Sequence, residues 1–464
     1  MGREGLAARR ARVLGEQNLY RLILSLAAPL VLSASVSTLY EMVDTFWLSR
    51  LGRSALATPT VSWPYRGLLM SASFGVASAL SALVGQYVGA GEYGRAERSV
   101  GTVLGILLAL NLLGAFALLA GIPLYLSAMG VPGDVRPLAA VYLAVLVATL
   151  PLSAVNMVFN FAVSYTGDTR TTMWVSLAST VTNMVLDPVL IFYAGLGVLG
   201  AALATAASQA VAAVYAAYSF ATGRHGIRLG LRDLVPDRGL LPLLARISAP
   251  VVAQRLGMNL GFLAMVGIVS GLGTAVLAAY SIGQVVLGLD RMIAMPVARA
   301  AGIVVGQSLG AGLPERAKRA TRAGLALILV TVGAFVAGLL AFSSQFIGLF
   351  TGDPGVYRAA QHMLRVFGPS VLGFNVFVLA NIVARASGHT LLLSLLGVAR
   401  LWALRIPLSW LLAYRLGLGD TGLWAGMAAS NYAVGAAAAA WLLEGAWAKP
   451  VIRRRGGGET ETQS

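Results

Sequence analysis

Long apolar runs separated by short polar connections recur along the whole chain. Residues 100–125, 139–163 and 325–350 hold no charged residue, and residues 391–404 are interrupted only by Ser394 and Arg400. About 20 apolar residues wound as a helix cross the ~30 Å hydrocarbon core of a bilayer. The pattern predicts about six spans in residues 1–221, a basic linker at 222–241 and about six more spans in 242–446. Residues 447–464 form a polar tail, expected to be disordered and cytoplasmic. The fold class is an all-α membrane protein with about 12 transmembrane helices.

Composition supports this reading. The 464 residues are 58% hydrophobic and 11% charged, against about 25% charged in soluble domains. The net charge of +16 could suggest a nucleic-acid partner, but its placement argues against one. Lys and Arg cluster in alternate connections and at the ends: Arg3 to Arg12, Arg95 and Arg98, Arg224 to Arg238, Arg316 to Arg322, and Lys449 to Arg455. The connections between hold few. Such alternation places the basic loops inside. It predicts an even number of spans, both termini cytoplasmic, and a multi-pass plasma-membrane protein without nucleic acid as partner. No cysteine is present, which excludes disulfides and thiol chemistry. The first apolar run holds Glu41 and Asp44 and lacks a cleavage site, so no signal peptide is read.

The stretch GAGEYG, Gly89 to Gly94, spells the dinucleotide fingerprint G-x-G-x-x-G. That mechanism needs a strand before the glycines and a helix N-terminus after them. An internal repeat decides against it. GQYVGAGEYGRAER recurs as GQSLGAGLPERAKR at an offset of 221 residues, and the same offset carries Pro29 to Pro250 and Gly167 to Gly388. After one inserted residue, GLGVLGA matches GLGDTGL. Basic loops map onto basic loops, so the two halves run parallel. Every fingerprint match falls between two membrane helices and reads as a helix end. GQSLG, which spells the nucleophile elbow G-x-S-x-G, lacks its strand-to-helix turn as well. No enzyme is expected.

Ionisable residues inside a membrane are expensive and mark functional sites. The first span carries Asp44, with Glu41 three residues earlier. The fifth carries Asn183 and Asp187, four apart and on one helix face, followed by Pro188. Proline removes an N–H and frees the carbonyl of Met184. Thr205 of the sixth span adds a hydroxyl. Carboxylate, amide and hydroxyl oxygens suit a hard cation or a proton, and they serve Na⁺ and H⁺ equally. At the offset of 221, Asp44 maps onto Met265 and Asp187 onto Leu408, so the acidic pair belongs to the first half alone. The second half instead carries Arg255, Asp290, Arg291, Arg299, Arg385, Arg400 and Arg405, which are read as structural. Tyr40, Met157 and neighbouring aromatics serve either as packing and interface anchors or as a soft cavity for organic cations.

VDTFWLSRLG, VGQYVGAGEYGRA, TGDTR and NMVLDPVLIFYAGLGVLGAALAT, spaced across two six-span halves, resemble the multidrug and toxic compound extrusion transporters. The acidic pair in the first half resembles the DNA-damage-inducible F type of the prokaryotic members. The resemblance implies two six-helix lobes forming a V around a central cleft, and export of cationic, amphiphilic compounds in exchange for H⁺ or Na⁺. It implies an ion site at Asp44, Asn183, Asp187 and Thr205, where Na⁺ is a candidate metal. Tyr40 matches a cavity tyrosine, Pro29 and Pro188 mark bending positions, and Glu41, Asn156, Met157 and Asn160 join the expected cavity lining. The usual stretch before GDT is replaced by NFAVSYTGDT, with Asn160 keeping part of its place. No cofactor beyond the coupling ion is implied, and a monomer in the lipid bilayer is expected. The second-half arginines leave open a flippase for lipid-linked saccharides, with a membrane enzyme and a channel as further alternatives.

Overall fold

The structure, a computed structural model, describes residues 2–452; these are almost entirely helical, with no strand among them. A short helix α1 (Gly2–Gly15) precedes the first half. That half contains α2 (Leu19–Arg50), α3 (Arg53–Ser78), α4 (Leu80–Ala90), α5 (Tyr93–Ala128), α6 (Arg136–Ala148), α7 (Leu150–Tyr165), α8 (Thr169–Pro188) and α9 (Gly197–Thr222). The second half contains α10 (Leu241–Ser270), α11 (Thr274–Gly288), α12 (Arg291–Gly310), α13 (Pro314–Ala341), α14 (Ser343–Gly348), α15 (Pro354–Phe367), α16 (Val371–Ser387), α17 (Leu391–Ala399), α18 (Ile406–Trp410) and α19 (Gly419–Glu444). Ten helical stretches are long and apolar enough to cross a membrane, and α6 with α7, bent by 47°, make an eleventh. Helix α19 matches α9 across the repeat but is not among these stretches.

The repeat is written into the backbone. Gly52 and Gly273 (φ 105° and 103°), Gly91 and Gly312 (79° and 75°), and Gly167 and Gly388 (92° and 85°) are 221 residues apart, and each pair closes the same connection in both halves. Gly195 and Gly417 (67° and 66°) are 222 apart. The extra residue is therefore absorbed between Gly388 and Gly417. Within that interval lies a π-helical turn, Arg400–Arg405, with no counterpart in the first half. The other π turn there, Leu411–Arg415, matches Val189–Tyr193. A π turn is the way a helix takes in one residue without breaking. Beyond it the register shifts, so Asp187 corresponds to Ser409 rather than Leu408, and Asn183 to Arg405.

The halves meet where α4 faces α12, through the residues of the glycine motif. A side chain on Gly89 would strike the carbonyl oxygen of Gln307, and one on Gly310 would strike that of Gln86. Small residues let two backbones touch, the usual solution for membrane helices. Gly91 supplies a left-handed C-cap to α4, while Gly94 has nothing within 4 Å. Two of the three glycines of GAGEYG thus have separate structural reasons, and its counterpart loses only the third, as Glu315.

Both chain ends cover this seam. Arg10 Nε donates to the Gly89 carbonyl at 2.9 Å, and Arg316 Nη2 donates to the carbonyls of Val13 and Glu16 at 2.7 Å each. Residues 447–452 of the expected tail pack on the body: Trp447 and Ile452 are buried, and Val451 N donates to Gln86 Oε1 at 2.9 Å. The remainder of that tail, 453–464, lies outside the described residues. The linker is also laid down on a helix, with Arg228 N donating to Glu97 Oε1 and Asp237 N to Thr102 Oγ1 of α5.

Candidate functional site

Two helices of the first half supply the oxygens of the candidate ion site, and a third closes it. The 3.6-residue period of α8 sets Asn183 and Asp187 on one face, and both are buried, at 2% and 0% exposure. Asn183 Nδ2 donates to Thr205 Oγ1 of α9 at 3.3 Å, while the Thr205 hydroxyl donates to the Ala201 carbonyl. Neither carboxylate oxygen of Asp187 has a hydrogen-bond partner, nor does Asn183 Oδ1. Helix α2 packs against α8 and brings Asp44 and Tyr40. Asp44 is the charged neighbour of Asp187, and the Tyr40 hydroxyl pairs with Thr205 in reach of both carboxylates. Buried polar atoms are normally satisfied. Three orphaned acceptor oxygens from two side chains, with a second carboxylate in electrostatic reach, mark the candidate ion site.

Other expected residues distribute differently. Glu41 is exposed and stands outside this cluster. Pro188 ends α8, and the chain runs on through the π turn Val189–Tyr193. Pro29 sits inside an unbroken α2. Asn156, Met157 and Asn160 line a cavity of about 360 Å³ with Phe74, Gln209 and Arg299. There Asn156 Nδ2 donates to the Gln209 carbonyl at 3.0 Å. Arg299, from the second half, donates to the Asn160 carbonyl at 3.0 Å and to its side-chain oxygen, and lies over the Phe161 ring. Asn160 is thus held by an arginine of the opposite half. Sequence reasoning missed Arg66 of α3, which lies in electrostatic reach of Tyr40 and Tyr142. The signal was a lone arginine inside the run VSWPYRGLLM.

Outside the spans, Asp168 organises a polar knot. It caps α8 by accepting from Thr171 N at 3.1 Å and meets Arg9 of α1 at 3.2 Å and His225 Nδ1 of the linker at 3.2 Å. Burial pushes its carboxyl up, but the His225 and Thr171 hydrogen bonds and the Arg9 charge outweigh burial and hold it below the usual range.

The profile of the MatE family matches residues 29–189 and 250–411, two stretches whose starts repeat the offset of 221. The probable multidrug resistance protein YoeA of Bacillus subtilis is 28% identical over 416 residues, covering 87% of this chain and 89% of that protein. An FAD transporter of Shewanella oneidensis is 27% identical, covering 85% and 88%. Among solved structures, an outward-facing multidrug resistance MATE transporter superposes with a TM-score of 0.88 at 23% identity, covering 96% and 98%. The family profile accounts for both halves, and the chain belongs to the MatE family of multidrug and toxic compound extrusion transporters.

Proposed function

We propose that the protein is a secondary active antiporter that exports amphiphilic organic compounds, cationic ones first, in exchange for H⁺ or Na⁺ by alternating access. The observation that carries this is the set of unpaired oxygens on Asp187 and Asn183 beside Asp44. Two carboxylates facing each other out of water repel strongly, because the effective dielectric there is low. A proton or Na⁺ taken up between them relieves that repulsion. It also cancels the charge that would hold a cationic substrate in the same lobe. Tyr40, Thr205 and Asn183 orient the oxygens and change partners as the site fills.

For the ion to drive transport, it must bind the two states of the lobes with different affinity. The closed seam at α4 and α12 defines one of those states. With both termini cytoplasmic, as the distribution of Lys and Arg implies, this seam faces the cytoplasm and the cleft opens outward. The protein then works in the plasma membrane as a monomer.

The test is uptake of a fluorescent organic cation into proteoliposomes, with a Na⁺ gradient and a pH gradient imposed separately. Accumulation driven by one gradient supports antiport and names the ion. Transport of lipid-linked saccharide without accumulation of the cation would favour the flippase.

A further inference from the structure

We infer that the second lobe contains a binding site for an organic anion: a phosphate or carboxylate carried on an aromatic or aliphatic body. This rests on the transport reading above and names a substrate class that reading does not. The site is a cavity of about 370 Å³ lined by Arg255, Arg291, Arg385, Arg400 and Arg405, with Asp290 as its single carboxylate. Among the described residues no ion pair joins any of these arginines to a carboxylate. Asp290 accepts from Asn375 Nδ2. The basic lining is therefore neutralised only in part, by Asp290 beside Arg291, against five arginines.

The two most deeply buried guanidiniums are built into place. Five residues make about 1.4 turns of an α-helix and would point Arg400 and Arg405 apart. The wider π turn Arg400–Arg405 brings them onto one acceptor instead. Asn431 Oδ1 accepts from Arg400 Nη1 at 3.3 Å and from Arg405 Nη2 at 2.6 Å. One neutral oxygen thus serves both guanidiniums, which are 2% and 4% exposed; Arg405 Nε also donates to the neutral Ser430 Oγ at 3.0 Å, while Arg400 Nε has no partner. Buried charge is unfavourable unless paired, and the guanidinium fork matches phosphate or carboxylate oxygens two at a time.

Phe374 lies under Arg400 at 4.8 Å and Phe367 under Arg405 at 5.4 Å, so the basic surface is continuous with an apolar one. The volume suits a drug-sized molecule. The first-half counterparts of Arg255, Arg385 and Arg405 are the neutral Ala34, Ser164 and Asn183. The acidic pair and these arginines thus lie in different lobes, and an organic cation is disfavoured in the second.

The test is calorimetric titration of the full chain in detergent micelles, with no ion gradient. One arm uses 1-naphthyl phosphate with 1-naphthol as the neutral control; a second uses dihexanoyl phosphatidic acid. The phosphate is expected to bind at least tenfold tighter than the naphthol, and Arg405→Gln to weaken it tenfold while leaving the naphthol unchanged. Tighter binding of the phosphatidic acid, lost in the same variant, assigns the anion to a lipid headgroup. If Arg405→Gln elutes as aggregate, Arg255→Gln replaces it. Equal affinity for phosphate and naphthol, or phosphate binding unchanged in the variant tested, overturns the inference. Because no gradient is imposed, its failure leaves ion coupling standing, and a failure of gradient-driven transport leaves this site standing.

Discussion

Gln86 and Gln307 close the seam between the lobes with the same hydrogen bond made twice. Gln86 Nε2 donates to the Ala386 carbonyl at 3.0 Å, Gln307 Nε2 donates to the Tyr165 carbonyl at 3.0 Å, and both donors and both acceptors are 221 residues apart. All are buried or nearly so, and leaving a buried carbonyl without its donor costs about 1–3 kcal/mol. Gln307→Ala is expected to shift the equilibrium away from this closed seam by about tenfold, since ~1.4 kcal/mol corresponds to a factor of ten. Distances between spin labels placed across the seam measure it. A longer-distance population is expected; an unchanged distribution would mean the bond does not hold the state.

Gly89→Ala and Gly94→Ala separate close approach from mere helix-end chemistry. The first places a methyl group on the carbonyl of Gln307, against backbone that cannot turn aside, whereas the second meets open space. Gly89→Ala is expected to prevent seam closure and reduce transport at least tenfold. Gly94→Ala, near the start of α5, is expected to leave transport unchanged and stability equal or slightly higher, by up to ~1 kcal/mol. Equal loss in both variants would show that the motif acts as a unit.

Thr205→Ala removes the hydroxyl that accepts from Asn183 Nδ2. The expected outcome is a weaker apparent ion affinity, by about tenfold if one hydrogen bond of ~1.5 kcal/mol is lost, with the maximal rate preserved at saturating ion. Transport rate measured against ion concentration separates the two. A fall in the maximal rate at unchanged ion affinity would place Thr205 outside ion binding.

The knot around Asp168 gives a prediction in pH. Its folded carboxyl titrates below the unfolded value, so its contribution to stability is present above the unfolded pKa of about 4 and is lost as pH falls through the folded one. Asp168→Ala removes the cap of α8 and the partner of Arg9 and His225. It is expected to lower stability at pH 7 by about 1–2 kcal/mol, the size of a lost N-cap. The gap to the unaltered protein should close as pH falls below about 4. Thermal unfolding in detergent across pH checks this; a gap independent of pH would contradict it.

Much of this was legible in the sequence, because hydrophobic runs, the 221-residue offset and carboxylates inside apolar helices are local signals. The pairing of Asn183 with Thr205 followed from helical spacing and the neighbouring span. Two things were not legible. A 3.6-residue wheel cannot represent the π turn at Arg400–Arg405, so the register beyond it was one residue off and the shared face of the two arginines was hidden. The arginines at 255, 291, 385 and 405 come together only through packing of distant helices, and each alone looks like a helix-to-helix contact.

The central claim is that Asp44 and Asp187 couple an ion to substrate movement, and one measurement addresses it most directly. Proteoliposomes holding the intact protein, Asp44→Asn or Asp187→Asn are assayed for gradient-driven accumulation of an organic cation and, separately, for its exchange without any gradient. The account predicts that the intact protein does both, whereas the two variants exchange substrate but do not accumulate it. Accumulation at the normal rate in either variant would contradict it.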